Sequence, residues 1–118
     1  MTAEIITRLK TGSIKSVVGF GELNLPKPPY IVVKPEREMA GRGRNYRIIA
    51  HYAPGQLAFL EDYIRDEVMT LLDTYGATTR NGNYQVCYAT EEWSDIITND
   101  DGTISMEQCF LVASHKGM

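Results

Sequence analysis

Hydrophobic and polar positions along this 118-residue chain follow two periods, and the places where one gives way to the other mark its elements. At the start, Ile5, Ile6 and Leu9 form a helical stripe that predicts a short helix over residues 2–10. Thr2 suits the N-cap, Glu4 the first turn and Gly12 the C-terminal end. The connector "VVGFGELNLPKPPY" follows, with a short extended piece at "SIKSVV", and Pro28-Pro29 holds the chain extended at its end. "YIVVK" (30–34) is a β-branched strand. After "PEREMAGRGRN", a loop at about 36–45, Tyr46, Ile48, Ala50 and Tyr52 alternate with polar neighbours and predict a second strand with one buried face.

From Pro54 the period becomes helical. Leu57, Leu60, Ile64, Val68, Leu71 and Tyr75 recur at steps of three or four, and Gly76 reads as the stop. A helix over residues 54–75 would extend about 33 Å at ~1.5 Å per residue, long enough to cross a whole sheet. Beyond the turn "TTRNGN", Tyr84, Val86 and Tyr88 lie on one side of a strand, and "SDIIT" continues extended. Asn99 to Gly102 is a hairpin turn into a last strand whose inner face is Ile104, Met106, Phe110 and Val112, and "HKGM" is a frayed tail. The order α-β-β-α-β-β predicts one α+β domain over residues 1–118. Its sheet is mixed, mostly antiparallel and of about four to five strands, with the short N-terminal helix and the one long helix packed on one face.

Composition alters this picture little. The 43% hydrophobic and 23% charged content is that of a soluble globular chain. No apolar run approaches the ~20 residues that cross a bilayer, and "MTAEIITRLKTG" does not read as a signal peptide. The expected compartment is the cytoplasm, with Cys87 and Cys109 as free, partly buried thiols. Charge is more informative. Up to Arg47 there are nine basic and four acidic residues, a net of +5, and the remainder carries three basic and eleven acidic residues, a net of −8.

Candidate chemistry is sparse. Aligning Gly102 to the sixth position of a calcium loop puts Ile97 first and Gln108 twelfth, where acids are required. His51, Cys87, Cys109 and His115 have no zinc spacing, so no metal site is assigned. Gly19-Phe20-Gly21 and Gly41-Arg42-Gly43 both lack the third glycine of a dinucleotide loop, so no cofactor is expected. Glu91, Glu92 and Asp95 read as solvated acids, His51 as a surface or interface histidine, and no nucleophile has a signature placing a base beside it. No catalytic residue is assigned and no enzyme is expected. Arg37, Arg42, Arg44 and Arg47 are the candidate site residues. They would either neutralise phosphates, with Tyr46 stacking on a base in a nucleic-acid-binding or regulatory module, or contact a protein partner. The overall acidity favours the protein partner.

Read in order, "AEIITRLKT", "PPYIVVKPE", "GRGRNYRIIAHY", "LAFLEDYIRDEVMTLL" and "WSDIITNDDGTISMEQCFLVA" resemble the small tail terminator (tail completion) proteins of long-tailed bacteriophages, or a closely related head–tail joining protein. The resemblance implies an α/β sandwich that closes into a homo-oligomeric, hexameric ring on the tail tube protein. Such a ring stops tube polymerisation and offers the docking surface for the head-completion or connector protein. It implies a virion tail component assembled in the host cytoplasm, with DNA passing through the ring unread and no membrane partner. Arg37, Arg42, Arg44 and Arg47 would then form the assembly-interface loop.

Overall fold

The computed structural model describes residues 1–39, 43–90 and 95–114, apart from the side chains of Met39, residues 57–63 and Asp95. In chain order its elements are α1 (Thr2–Leu9), β1 (Val17–Gly19), β2 (Tyr30–Met39), β3 (Gly43–Tyr52), α2 (Leu57–Leu72), β4 (Gly76–Thr78), β5 (Tyr84–Ala89), β6 (Asp95–Thr98) and β7 (Ile104–Ser114). The class is α+β, as the sequence predicts, but among the described residues the sheet has seven strands rather than four or five. Three of the strands are only three or four residues long: β1 and β6 fall in the pieces read as extended, "SIKSVV" and "SDIIT", and β4 is too short for a hydrophobic period to reveal.

Strand order is β1-β2-β3-β7-β5-β4, with β6 also on β7. Among the described residues only β1 and β2 pair in parallel. β7 is the central strand: it pairs with β3 from Ile104 to Val112 on one side, and on the other with β6 below and β5 above. This register sets Tyr46 beside Phe110, Ile48 beside Gln108 and Ala50 beside Met106, so the inner faces of both strands coincide. Ile31, Val33 and Val17 extend that face across β2 and β1, and Cys87 extends it into β5.

Both helices cover this face. Ile5 and Leu9 of α1 and Ile64, Val68 and Leu72 of α2 are buried in the same cluster. Each of these side chains contributes about 1.5–3 kcal/mol by leaving water. The α2 stripe runs at steps of four and ends on Leu72, whereas Leu71, expected on it, is only half-buried. Leu57 and Leu60 of the expected stripe lie outside the described side chains.

The helix is also shorter than expected: α2 has 16 residues, with Pro54 and Gly55 in the turn before it and Tyr75 beyond its end. Asp73 is the C-cap in an extended conformation, and Thr74, not Gly76, takes the left-handed conformation at φ 63°. The Thr74 amide donates to the Cys87 carbonyl and the Cys87 amide to the Tyr75 carbonyl, so β5 pulls the chain out of the helix before the stripe is complete. Gly76 begins β4 instead, where a Cβ would collide with the Tyr84 ring. At the other helix, Thr2 lies inside α1, Met1 is the N-cap without a side-chain cap and Lys10 is the C-cap. In β5 Tyr84, Val86 and Tyr88 share one side, as expected, and Cys87 on the other side is fully buried under the helices.

The expected loop at 36–45 is strand where it is described, since β2 extends to Met39 and β3 starts at Gly43, with a register shift between Pro35 and Glu38. Residues 40–42 and the tail at 115–118 lie outside the described residues. Gly43 has φ 111°, and a Cβ there would collide with the Val112 carbonyl of β7. Gly43→Ala should therefore lower stability by about 2 kcal/mol, combining a left-handed backbone with a clash against a central strand. Urea unfolding of the variant beside wild type measures this, and an unchanged midpoint would contradict it.

Candidate assembly surface

With both helices on one face, the opposite face of the sheet is built from the alternate residues: Val18, Val32 and Lys34, then Arg47, Ile49 and His51, then Ser105, Glu107, Cys109 and Leu111. Most are half-buried, so apolar and charged groups share one surface, and among the described residues neither helix covers it. Arg47 sits near its middle. Its Nε donates to Glu36 Oε1 at 2.6 Å and its Nη1 to Glu107 Oε1 at 2.5 Å. Hydrogen bonding to Glu107, then to Glu36, raises the guanidinium above its already high ordinary value. Three strands, β2, β3 and β7, are thereby tied through one side chain.

Of the four arginines expected on the assembly-interface loop, Arg44 and Arg47 are not brought together. Arg44 and Arg47 are three residues apart on a strand and so lie on opposite faces. Arg44 is on the helix side, 3.7 Å from Glu38, beside a polar recess of about 240 Å³ also lined by Met1, Tyr46, Gln85 and Ser114. Arg37 is exposed at the register shift, and Arg42 lies outside the described residues. Arg44 and Arg47 each have a carboxylate partner, so a phosphate would first have to displace it.

Below Arg47 the same face holds a polar brace. The Tyr30 and His51 rings stack at 4.6 Å, His51 Nδ1 is 3.1 Å from Ser105 Oγ, and Asn99 Nδ2 donates to Ser105 Oγ at 2.9 Å. A serine beside a histidine raises the question of a nucleophile. Here Ser105 is only 4% exposed and its hydroxyl is engaged on both sides, so the pair anchors the β6–β7 turn to β3. That turn closes by Asn99 N–H to the Thr103 carbonyl, and the Thr103 hydroxyl and amide hold the Asp101 carboxyl below the usual range. Burial pushes the His51 ring below its ordinary 6.5, against the smaller opposing influence of Asp101 and Glu107. Burial likewise pushes the Cys87 thiol up to about 11, which leaves it unreactive. Cys109 is half-buried.

Two apolar patches flank this surface. Phe20, Leu23 and Leu25 are exposed on the connector after β1, with Lys34 Nζ 4.9 Å from the centre of the Phe20 ring. Ile96 and Ile97 are exposed on β6. Sequence reasoning missed both, although apolar residues inside a Gly/Pro-bearing connector are a visible anomaly. It also missed Glu107 as the partner of Arg47, because 60 residues separate them and only the β3–β7 register brings them together. Among the described residues no group of three or more His, Cys, Asp or Glu side chains could hold a metal ion, and no helix is long and apolar enough to cross a membrane. Glu91 and Glu92 lie outside the described residues.

Two outcomes follow from this geometry. Arg47→Met should lower stability by about 1–3 kcal/mol, because two carboxylates lose their charged donor, and adding Glu36→Gln and Glu107→Gln should recover part of the loss in urea titrations. His51 has a folded value below the unfolded one, so between the two the unfolded chain binds more protons and stability rises with pH. The contribution is therefore complete above about pH 6.5 and declines as pH falls below it. His51→Gln should flatten that part of a stability–pH profile. Compared with known proteins, the chain matches no family model and no curated protein.

Proposed function

We propose that this chain is the tail terminator of a long-tailed bacteriophage, a structural protein that forms a hexameric ring on the end of the tail tube. The ring ends tube polymerisation and presents the surface on which the head-completion or connector protein docks. It belongs to the virion tail, is assembled in the host cytoplasm, and lets DNA pass without reading it. The observation that carries this reading is the two-sided construction of the sheet. Strands β1, β2 and the first half of β3 belong to the basic part of the chain and β4 to β7 to the acidic part, so the strand order sets the two on opposite sides of the sheet. A closed ring needs two different, complementary surfaces on every subunit. The element order and the quoted segments supply the link to the phage family. The carboxylate partners of Arg44 and Arg47 favour protein contact over phosphate binding.

The test is to polymerise the cognate tail tube protein with and without this chain and to image the tubes by negative stain. Six-fold rings, and tubes that stop growing with a ring at one end, are the expected result. Tubes of unchanged length with no bound ring would overturn the proposal.

A further inference from the structure

Among the described residues three strands lie at edges of the sheet, β1, β4 and β6, and of these β1 and β6 lie at the same height and run in opposite directions. One transverse row runs Val17, Ile31, Ala50, Met106, Ile96, from the β1 edge to the β6 edge. The next row on one side runs Val18, Val32, Ile49, Glu107, Asp95. β1 is parallel to β2, and the pairs β2–β3, β3–β7 and β7–β6 are each antiparallel, so β6 runs opposite to β1. Among the described residues neither strand has a second partner.

Both edges have backbone groups turned outward. The Ser16 carbonyl accepts from Ile31 and the Phe20 amide donates to Val33, so the alternation turns Val17 and Gly19 away from β2. On β6, Asn99 bonds Thr103, so Ile97 faces β7 while the amides and carbonyls of Ile96 and Thr98 face outward. Unpaired edges of this kind are templates for another strand. Each edge also carries an exposed apolar patch: Leu23 is 93% exposed and Phe20 63% beside β1, and Ile96 is 43% exposed on β6. Charge differs between them. Lys15 and Lys27 are exposed on the β1 side, offset by one acid, Glu22, whereas Asp100 and Asp101 are exposed on the turn after β6.

We infer that β6 of one copy of this chain pairs antiparallel with β1 of the next, joining successive subunits through a continuous sheet. This rests on the ring-forming reading above and names the surfaces that reading requires. The contact is head-to-tail, because each copy offers a different strand to each neighbour. Adding a subunit extends the sheet at this height by five strands, an advance of about 24 Å at ~4.8 Å per strand. The molecule measures 47 × 29 × 24 Å, so that spacing fits its two shorter dimensions. The connector patch of one copy then meets the Ile96–Ile97 patch of the next, with lysines facing aspartates across the joint.

Gly19→Pro and Thr98→Pro each remove one outward amide and leave the internal ladders intact, the edge position at which proline is tolerated. Particle mass by light scattering, with circular dichroism and thermal unfolding as controls, reads the result. At concentrations where wild type forms the ring, each variant alone should be a 13.3 kDa monomer with at least 100-fold weaker self-association. An equimolar mixture should form a one-to-one dimer and nothing larger, since only the β6 edge of Gly19→Pro and the β1 edge of Thr98→Pro remain competent. Leu23→Asp and Ile97→Asp, at exposed side chains, provide the same complementary pair if a proline variant fails to fold. Rings that persist in all four variants would overturn the β6–β1 joint while leaving the ring-forming reading standing. A wild-type chain that stays monomeric both free and with tube ends, and no dimer in the mixture, would overturn both.

Discussion

The nine-residue pairing of β3 with β7 is the constraint on which the rest of this molecule depends. β7 is shared by three neighbours, with β3 on one side and β5 and β6 end to end on the other. Because side chains on a strand alternate with period two, a slip of one residue would send Phe110, Met106 and Val112 to the open face and bring Glu107 and Cys109 under the helices. Burial of three large apolar residues against carboxylate exposure settles that choice. Everything on either face, the core under α1 and α2 and the Arg47 centre on the other side, follows from this one register.

The open face shows how a half-buried surface keeps charge without instability. Arg47 is flanked by strand neighbours on both sides, Lys34 and Cys109, and is only partly exposed to water there. Two carboxylates from different strands supply the compensation, and their hydrogen bonds fix the side chain across three strands. Arg44, only three residues away, projects to the other face and meets a different acid. A basic run in the sequence thus becomes two separated ion pairs, which is why local charge density along a chain is a poor guide to charge density in space.

Several features were legible early because they depend on local chemistry. The alternation at Tyr46, Ile48, Ala50 and Tyr52 marks β3 and its buried face correctly, as the Met106, Phe110 and Val112 positions do for β7, and all of these are buried as expected. The Asn99–Gly102 turn has the hydrogen bonds its residue types imply. Where local reasoning fell short, a tertiary contact intervened. The helical period continues through Tyr75, but hydrogen bonds to Cys87 end α2 at Leu72. β1 and β4 carry too few residues for a period and exist because β2 and β5 offer open edges to pair with.

By itself the sequence determined the α+β class, the two helices, the inner faces of the long strands and the uneven charge of its two halves, since each is written in the spacing of residues close along the chain. Tertiary structure alone decided the strand count, the end of α2, the separate ion pairs of Arg44 and Arg47 and the equal height of β1 and β6. Those depend on register between strands distant in sequence, and register is chosen by the summed burial and hydrogen bonding of the whole sheet, which no local stretch encodes.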